Sequence, residues 1–190
     1  MTRLPHLKPA EMEKELRAFY DDVTRELYHP GLPHITKLEE GQMVGPFTAM
    51  LNFPKFGEPL FRLQLRVLKQ SHIPKDINEL FILVISAHEG AAYAVYAHEL
   101  LALDAGLPPA VTEAVIEGRE PALHEPEEKA AYALAVALTK KGAVPDEVYA
   151  EALAHFGADG VSALVNTAAL FKYLSTLMNA YDEPIPGAEG

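Results

Sequence analysis

Glu79 and His98 are the residues whose types and positions best suit chemistry in this chain. They belong to successive helical segments separated by a break at Gly90, and an antiparallel pair of helices brings such residues side by side. A carboxylate in an apolar setting holds its proton more tightly, and an imidazole titrates near neutrality, so the two can relay a proton. The same pair can equally be a buried hydrogen bond that satisfies both groups and does no chemistry, and spacing alone does not choose between these readings. Tyr93 and Tyr96, on the same segment as His98, either present hydroxyls to a ligand or serve as core aromatics with their OH groups satisfied.

A metal reading fits less well. The triplets Ala87-His88-Glu89 and Ala97-His98-Glu99 put two histidines near acids, but a zinc-protease helix needs histidines four apart on one face, and Gly90 separates these. We expect no metal ligands and no cofactor. The histidines at positions 6, 34, 72, 124 and 155 read as loop or surface residues. With no cysteine in the chain, disulfides, thiolate metal sites and sulfur nucleophiles are all excluded. The 27 acidic against 16 basic residues give a net charge of -11, a poor complement to a phosphate backbone or an anionic lipid surface. Neither nucleic acid nor a membrane is an expected partner.

The elements that must position these residues are helical. From Pro74, Ile77, Leu80, Phe81, Val84, Ile85 and His88 form one stripe, while Ile82, Leu83 and Ser86 share a second, largely apolar stripe with Glu79. That helix is expected to be covered on two sides, with Glu79 partly buried. The next helix runs from Ala91 to about Asp104, stopped by Gly106 with Pro108 and Pro109 beyond. Earlier, an amphipathic arm is expected from Pro9 to Tyr28, then a Pro- and Gly-rich linker over 29–46, then helices opened by Pro46 and Pro54. Later helices are expected at about Pro109 to Glu117, Pro126 to Lys141, Pro145 to Phe156 and Asp159 to Tyr181. No strand alternation competes with them.

The stretch Val161 to Met178 is apolar but contains Asn166 and Lys172 and is short for a membrane span, which predicts a buried helix. The first fifteen residues lack the apolar run of a secretory signal, so the chain reads as cytoplasmic. The domain reading is an N-terminal arm and linker over 1–44, a helical domain over 45–186 and a short tail over 187–190. At 49% hydrophobic residues, 190 residues suffice for one sizeable core.

Glu79, Ala91, Ala94 and His98 fall at the spacing of the Glu…Cys-x-x-Cys-x-x-x-His signature, with alanine at both cysteine positions. The segment ELFILVISAHEGAAYAVYAHELLALDAGL thus resembles alkyl hydroperoxidase D-like proteins, and in particular their cysteine-free branch, the carboxymuconolactone decarboxylase-like proteins. His88, Gly90, Tyr93, Tyr96 and His98 match the His-x-Gly turn, aromatic helix and final histidine common in that branch. GPFTAMLNFPKFGEPLFRL at 45–63 and LFKYLSTLMNAYDEPIP at 170–186 resemble its preceding and terminal helices.

The resemblance implies an all-α bundle with a central antiparallel helix pair, assembled as a homo-oligomer, trimer or hexamer, with pockets near subunit contacts. It also implies a cofactor-free lyase that moves a proton on a small unsaturated acid or lactone. In that reading His98 is the acid or base, Glu79 its orienting partner, and His88, Tyr93 and Tyr96 face the substrate. Thiol peroxidase activity is excluded by composition. The alternative is a non-catalytic, oligomeric small-molecule-binding protein of the same fold.

Overall fold

A computed structural model describes residues 2–28, 31–69 and 72–187. Part of the expected linker, and residues 188–190 of the expected tail, lie outside these. The described residues form eight α-helices: α1 (Lys14–Leu27), α2 (Pro46–Asn52), α3 (Pro54–Lys69), α4 (Lys75–Glu89), α5 (Ala92–Asp104), α6 (Pro109–Ile116), α7 (Pro126–Thr139) and α8 (Asp146–Ala180). Among them there is no strand, only an isolated antiparallel bridge between Lys37 and Met43 that pinches the linker.

At the centre, α4 packs against α5, α6, α7 and α8. Its residues Leu80, Phe81, Ile82, Leu83 and Ile85 are fully buried, so both of the expected apolar stripes are covered. Gly90 ends it at φ 65°, ψ 28°, a left-handed conformation that costs glycine little. The Ala91 N–H reaches back to the Ser86 carbonyl (3.2 Å) and the Gly90 N–H to that of Ala87 (3.1 Å), satisfying carbonyls the helix leaves open and turning the chain back into α5. The break expected at this glycine is therefore a tight reversal between two antiparallel helices.

Two boundaries differ from expectation. The first helix begins at Lys14, because Met12 and Glu13 take extended backbone and leave Pro9–Glu11 as a separate 3-10 turn. The two helices expected around residue 157 are joined as α8, although Gly157 (φ 65°, ψ 177°) is non-helical and kinks it there. By length and composition α8 is long and apolar enough to cross a membrane, yet half of its most apolar stretch is buried inside the chain. Leu164, Ala168, Phe171 and Leu174 on it belong to the common core.

The segment expected to stand apart as an arm is folded in. Phe19 and Tyr20 are 5% exposed and Val23 is fully buried. The Phe19 ring meets Phe61 of α3 edge-on at 5.9 Å, and the Tyr20 hydroxyl donates to the Gly41 carbonyl (2.8 Å). The apolar side of α1 is thus covered largely by the chain itself.

The chain ends also meet. The Arg3 N–H donates to the Tyr181 carbonyl (2.8 Å), and the buried Glu183 carboxylate accepts from the Gly45 N–H and the Thr48 hydroxyl, both at 2.9 Å, with His6 Nε2 at 3.0 Å. His6, expected in a loop or at the surface, is a loop residue drawn into this cluster because a buried carboxylate must be hydrogen-bonded.

Candidate functional site

Glu79 sits on the buried core of α4 and His98 one helix later, on the face of α5 that the Gly90 reversal turns towards it. The Nδ1–H of His98 donates to Glu79 Oε2 at 2.7 Å, the length of a charge-assisted bond, with the two side chains only 14% and 10% exposed. Phe171 of α8 meets the imidazole edge-on, its ring centroid 4.8 Å away and the planes at 90°. The ring is thus held from two sides. With Nδ1 committed to the carboxylate, Nε2 is the ring nitrogen left to exchange a proton, and an imidazolium formed there would be stabilised by Glu79.

His98 lines a cavity of about 180 Å³, partly open to solvent, between α1, α2, α3, α5, α8 and the linker. Most of its wall is apolar, including Leu27, Phe47, Leu68, Leu101, Phe171, Leu174 and Met178. Ala94 and Ala97, small and nearly fully buried, keep the α5 side of the wall shallow. Larger grooves occur at the surface, among them one between α7 and the loops flanking it, but they hold neither member of the Glu79–His98 pair.

The predicted tyrosines are both near this cavity, and both hydroxyls bond the backbone of Ile35. Tyr93 donates to the Ile35 carbonyl (2.8 Å), and the Ile35 N–H donates to the Tyr96 hydroxyl (3.1 Å), so the two side chains clip the linker across the site. Their rings pack edge-on at 6.0 Å. Tyr93 lines the cavity through its ring, and burial, reinforced by Tyr96 and the Glu183 carboxylate, pushes its hydroxyl pKa well above the ordinary value. It therefore stays a neutral donor. Gly45 makes room for that ring, since a Cβ there would stand 2.2 Å from Tyr93 Cε1.

Tyr93 therefore faces the cavity while its hydroxyl, like that of Tyr96, bonds the linker at Ile35. His88 is not brought to the cavity at all. It lies exposed at the C-terminal end of α4, because the Gly90 reversal carries the chain away from it. Among the described residues no group of three or more His, Asp or Glu side chains is placed to hold a metal ion.

Sequence reasoning missed three polar wall residues: His34 and Thr36 of the linker and Gln64 of α3. His34 is a loop residue, as expected, but a half-buried one. Gln64 and Thr36 are buried, and neither Gln64 Oε1 nor Thr36 Oγ1 has a hydrogen-bond partner. A buried glutamine on the inner side of an amphipathic helix was the one signal that could have marked α3.

This arrangement places the chain in a known class of fold. It has the AhpD-like helical fold, the fold of alkyl hydroperoxidase D and related proteins. One similar structure is the AhpD core of an uncharacterised peroxidase-related protein from Ralstonia eutropha JMP134, which has a TM-score of 0.77 and 17% identity over 98% of this chain and 93% of that one. Another is the debrominase Bmp8, solved as a cysteine-to-alanine variant with 2,3,4-tribromopyrrole, with a TM-score of 0.73 and 16% identity over 99% and 93% of the two chains. A third is a protein of unknown function from Agrobacterium tumefaciens described as a putative antioxidant defence protein AhpD, with a TM-score of 0.66 and 18% identity over 73% and 95%. No family model matches the chain, and no curated protein matches it in sequence.

Proposed function

We propose that the chain is an enzyme of proton transfer, a cofactor-free lyase or isomerase acting on a small unsaturated acid or lactone. The observation that carries this reading is His98, held by Glu79 through Nδ1 at 2.7 Å on the wall of a largely apolar cavity. In the reaction Nε2 takes a proton from carbon beside a carbonyl, the electrons delocalise into the unsaturated system, and the imidazolium returns a proton to a different carbon. For a carboxylated substrate the electrons come instead from loss of carbon dioxide, and a protonated His98 delivers the proton. Neither route changes an oxidation state of the protein or needs a thiol.

Support also comes from the fold, which a debrominase shares. Peroxidase-like descriptions among the similar structures do not transfer, because reducing a peroxide through a thiolate requires the cysteine this chain lacks.

The test is proton exchange. Incubated in deuterated water with a panel of unsaturated lactones and their carboxylated precursors, the protein is expected to put deuterium into carbon positions of at least one. His98→Gln is expected to slow this by about 100-fold or more while leaving the helical circular dichroism unchanged. A wild-type protein inert to the whole panel, or a variant as fast as wild type, counts against the reading and favours a binding protein of the same fold.

A further inference from the structure

The cavity beside His98 carries two polar groups that the fold leaves unanswered. Gln64, 6% exposed, lines it from α3, and its Oε1 has no hydrogen-bond partner. Thr36, 8% exposed, lines it from the linker, and its Oγ1 has none either. A buried amide oxygen without a donor costs on the order of 1–3 kcal/mol, and native structures rarely keep one without a use. Here one such oxygen and one unpartnered hydroxyl fall on the wall of one small cavity, and that wall also holds the imidazole proposed to do the chemistry.

We propose that the site takes an uncharged single-ring molecule bearing an O–H or N–H, and that Gln64 Oε1 is the acceptor that selects it, with the Thr36 hydroxyl making a second polar contact. This rests on reading the His98 cavity as the active site and narrows its substrate. Size follows from the volume: about 180 Å³ is close to the roughly 150 Å³ cavity known to hold benzene, so one ring with a few substituents fits. The absence of charge follows from the wall. No lysine or arginine is among the described lining residues, so no permanent cation faces the site; of its two imidazoles, His98 is paired with Glu79, and His34 carries no fixed charge. A carboxylate placed there loses part of its water without gaining a permanent partner charge. The site thus favours an uncharged lactone or cyclic enol over an acid, and a proton shift within the ring over loss of carbon dioxide.

Phenol, toluene and benzoate are nearly equal in shape and separate donor, no donor and charge. Their binding to the full-length protein is measured at neutral pH by ligand-observed NMR titration. Wild type is expected to hold phenol about tenfold more tightly than toluene and at least tenfold more tightly than benzoate. Gln64→Met keeps the length and burial of the side chain but removes the acceptor; it is expected to bring phenol down to the affinity of toluene, leaving toluene within about twofold of wild type. Should that variant not fold, Thr36→Val and the wild-type order of the three probes carry the test, with Thr36→Val expected to weaken phenol by a smaller factor. Toluene binding as well as phenol, benzoate binding best, no probe binding at all, or a phenol preference that survives Gln64→Met overturns the proposal. The acid–base reading fails separately: normal turnover by His98→Gln overturns it while leaving the ligand preference standing.

Discussion

Glu79 and His98 satisfy one another deep in the fold, and neither finds a substitute if the other is lost. Removing the imidazole leaves a carboxylate that is 10% exposed with its charge unanswered. His98→Leu is expected to cost about 3 kcal/mol and Glu79→Leu about half that, since an unpaired neutral imidazole is easier to bury than a charge. The double variant is expected to cost at least 1 kcal/mol less than the two single costs together, measured by urea unfolding; additivity to within about 0.5 kcal/mol would show that the contact is not coupled. Tyr93 makes a second test through pH. Its folded-state pKa is raised by burial, so its contribution is fully present below the unfolded pKa of about 10 and is lost as pH rises beyond it, when only the unfolded chain ionises readily. Tyr93→Phe is expected to be about 1 kcal/mol less stable at pH 7, having lost the bond to the Ile35 carbonyl, and to lose stability less steeply than wild type between pH 10 and 11. Parallel profiles for the two proteins would remove Tyr93 as the cause.

At the scale of elements, the reversal between α4 and α5 decides whether Glu79 and His98 meet, and one backbone conformation makes it. A Cβ on Gly90 meets nothing within 4 Å, so substitution there tests the left-handed backbone alone, free of any clash. Gly90→Ala is expected to cost about 1 kcal/mol and to lower Tm by roughly 2–4 °C, and Gly90→Asn less, because asparagine tolerates this region better. Equal melting temperatures for wild type and Gly90→Ala would mean that the chain reaches the pair by another turn. The proline starts and glycine stops around α2 to α7 were legible because they act locally, through a fixed φ or an absent Cβ. The start of α1 was not: Met12 fits the period of Leu16, Phe19, Tyr20 and Val23, yet the backbone at Met12 and Glu13 is extended, which side-chain spacing does not record.

Across the whole molecule, the charge and apolar surface bear on assembly. We expect an oligomer larger than a dimer, as the resemblance implied, with α3 and α8 at the contact. The apolar side of α1 is inside, whereas Phe56 and Leu63 of α3 and Tyr173 of α8 stand 72%, 50% and 48% exposed around an apolar groove. Apolar side chains clustered in this way commonly mark an interface. Sedimentation equilibrium at micromolar concentration is expected to give a mass of three subunits or more, and Leu63→Asp to reduce it without loss of helical signal. A monomeric wild type would end this expectation; an unchanged mass in Leu63→Asp would move the contact elsewhere.

By itself the sequence determined the helices, the turn at Gly90 and the pairing of Glu79 with His98. Helix periodicity, proline and glycine are local signals, and the antiparallel packing of neighbouring helices is the shortest connection they allow. The absence of cysteine likewise closed the thiol routes before any fold was considered. The tertiary structure alone decided that α1 folds in, that His88 stays out, that the two tyrosine hydroxyls hold the linker, and that Thr36 and Gln64 join His98 around one cavity. Those outcomes depend on contacts between segments far apart in the chain, whose closure no local pattern records. Gln64 shows this plainly: its position on an amphipathic helix said that it faces inward, but only the packing of α3 against α1, α2 and α8 put a cavity there for it to face.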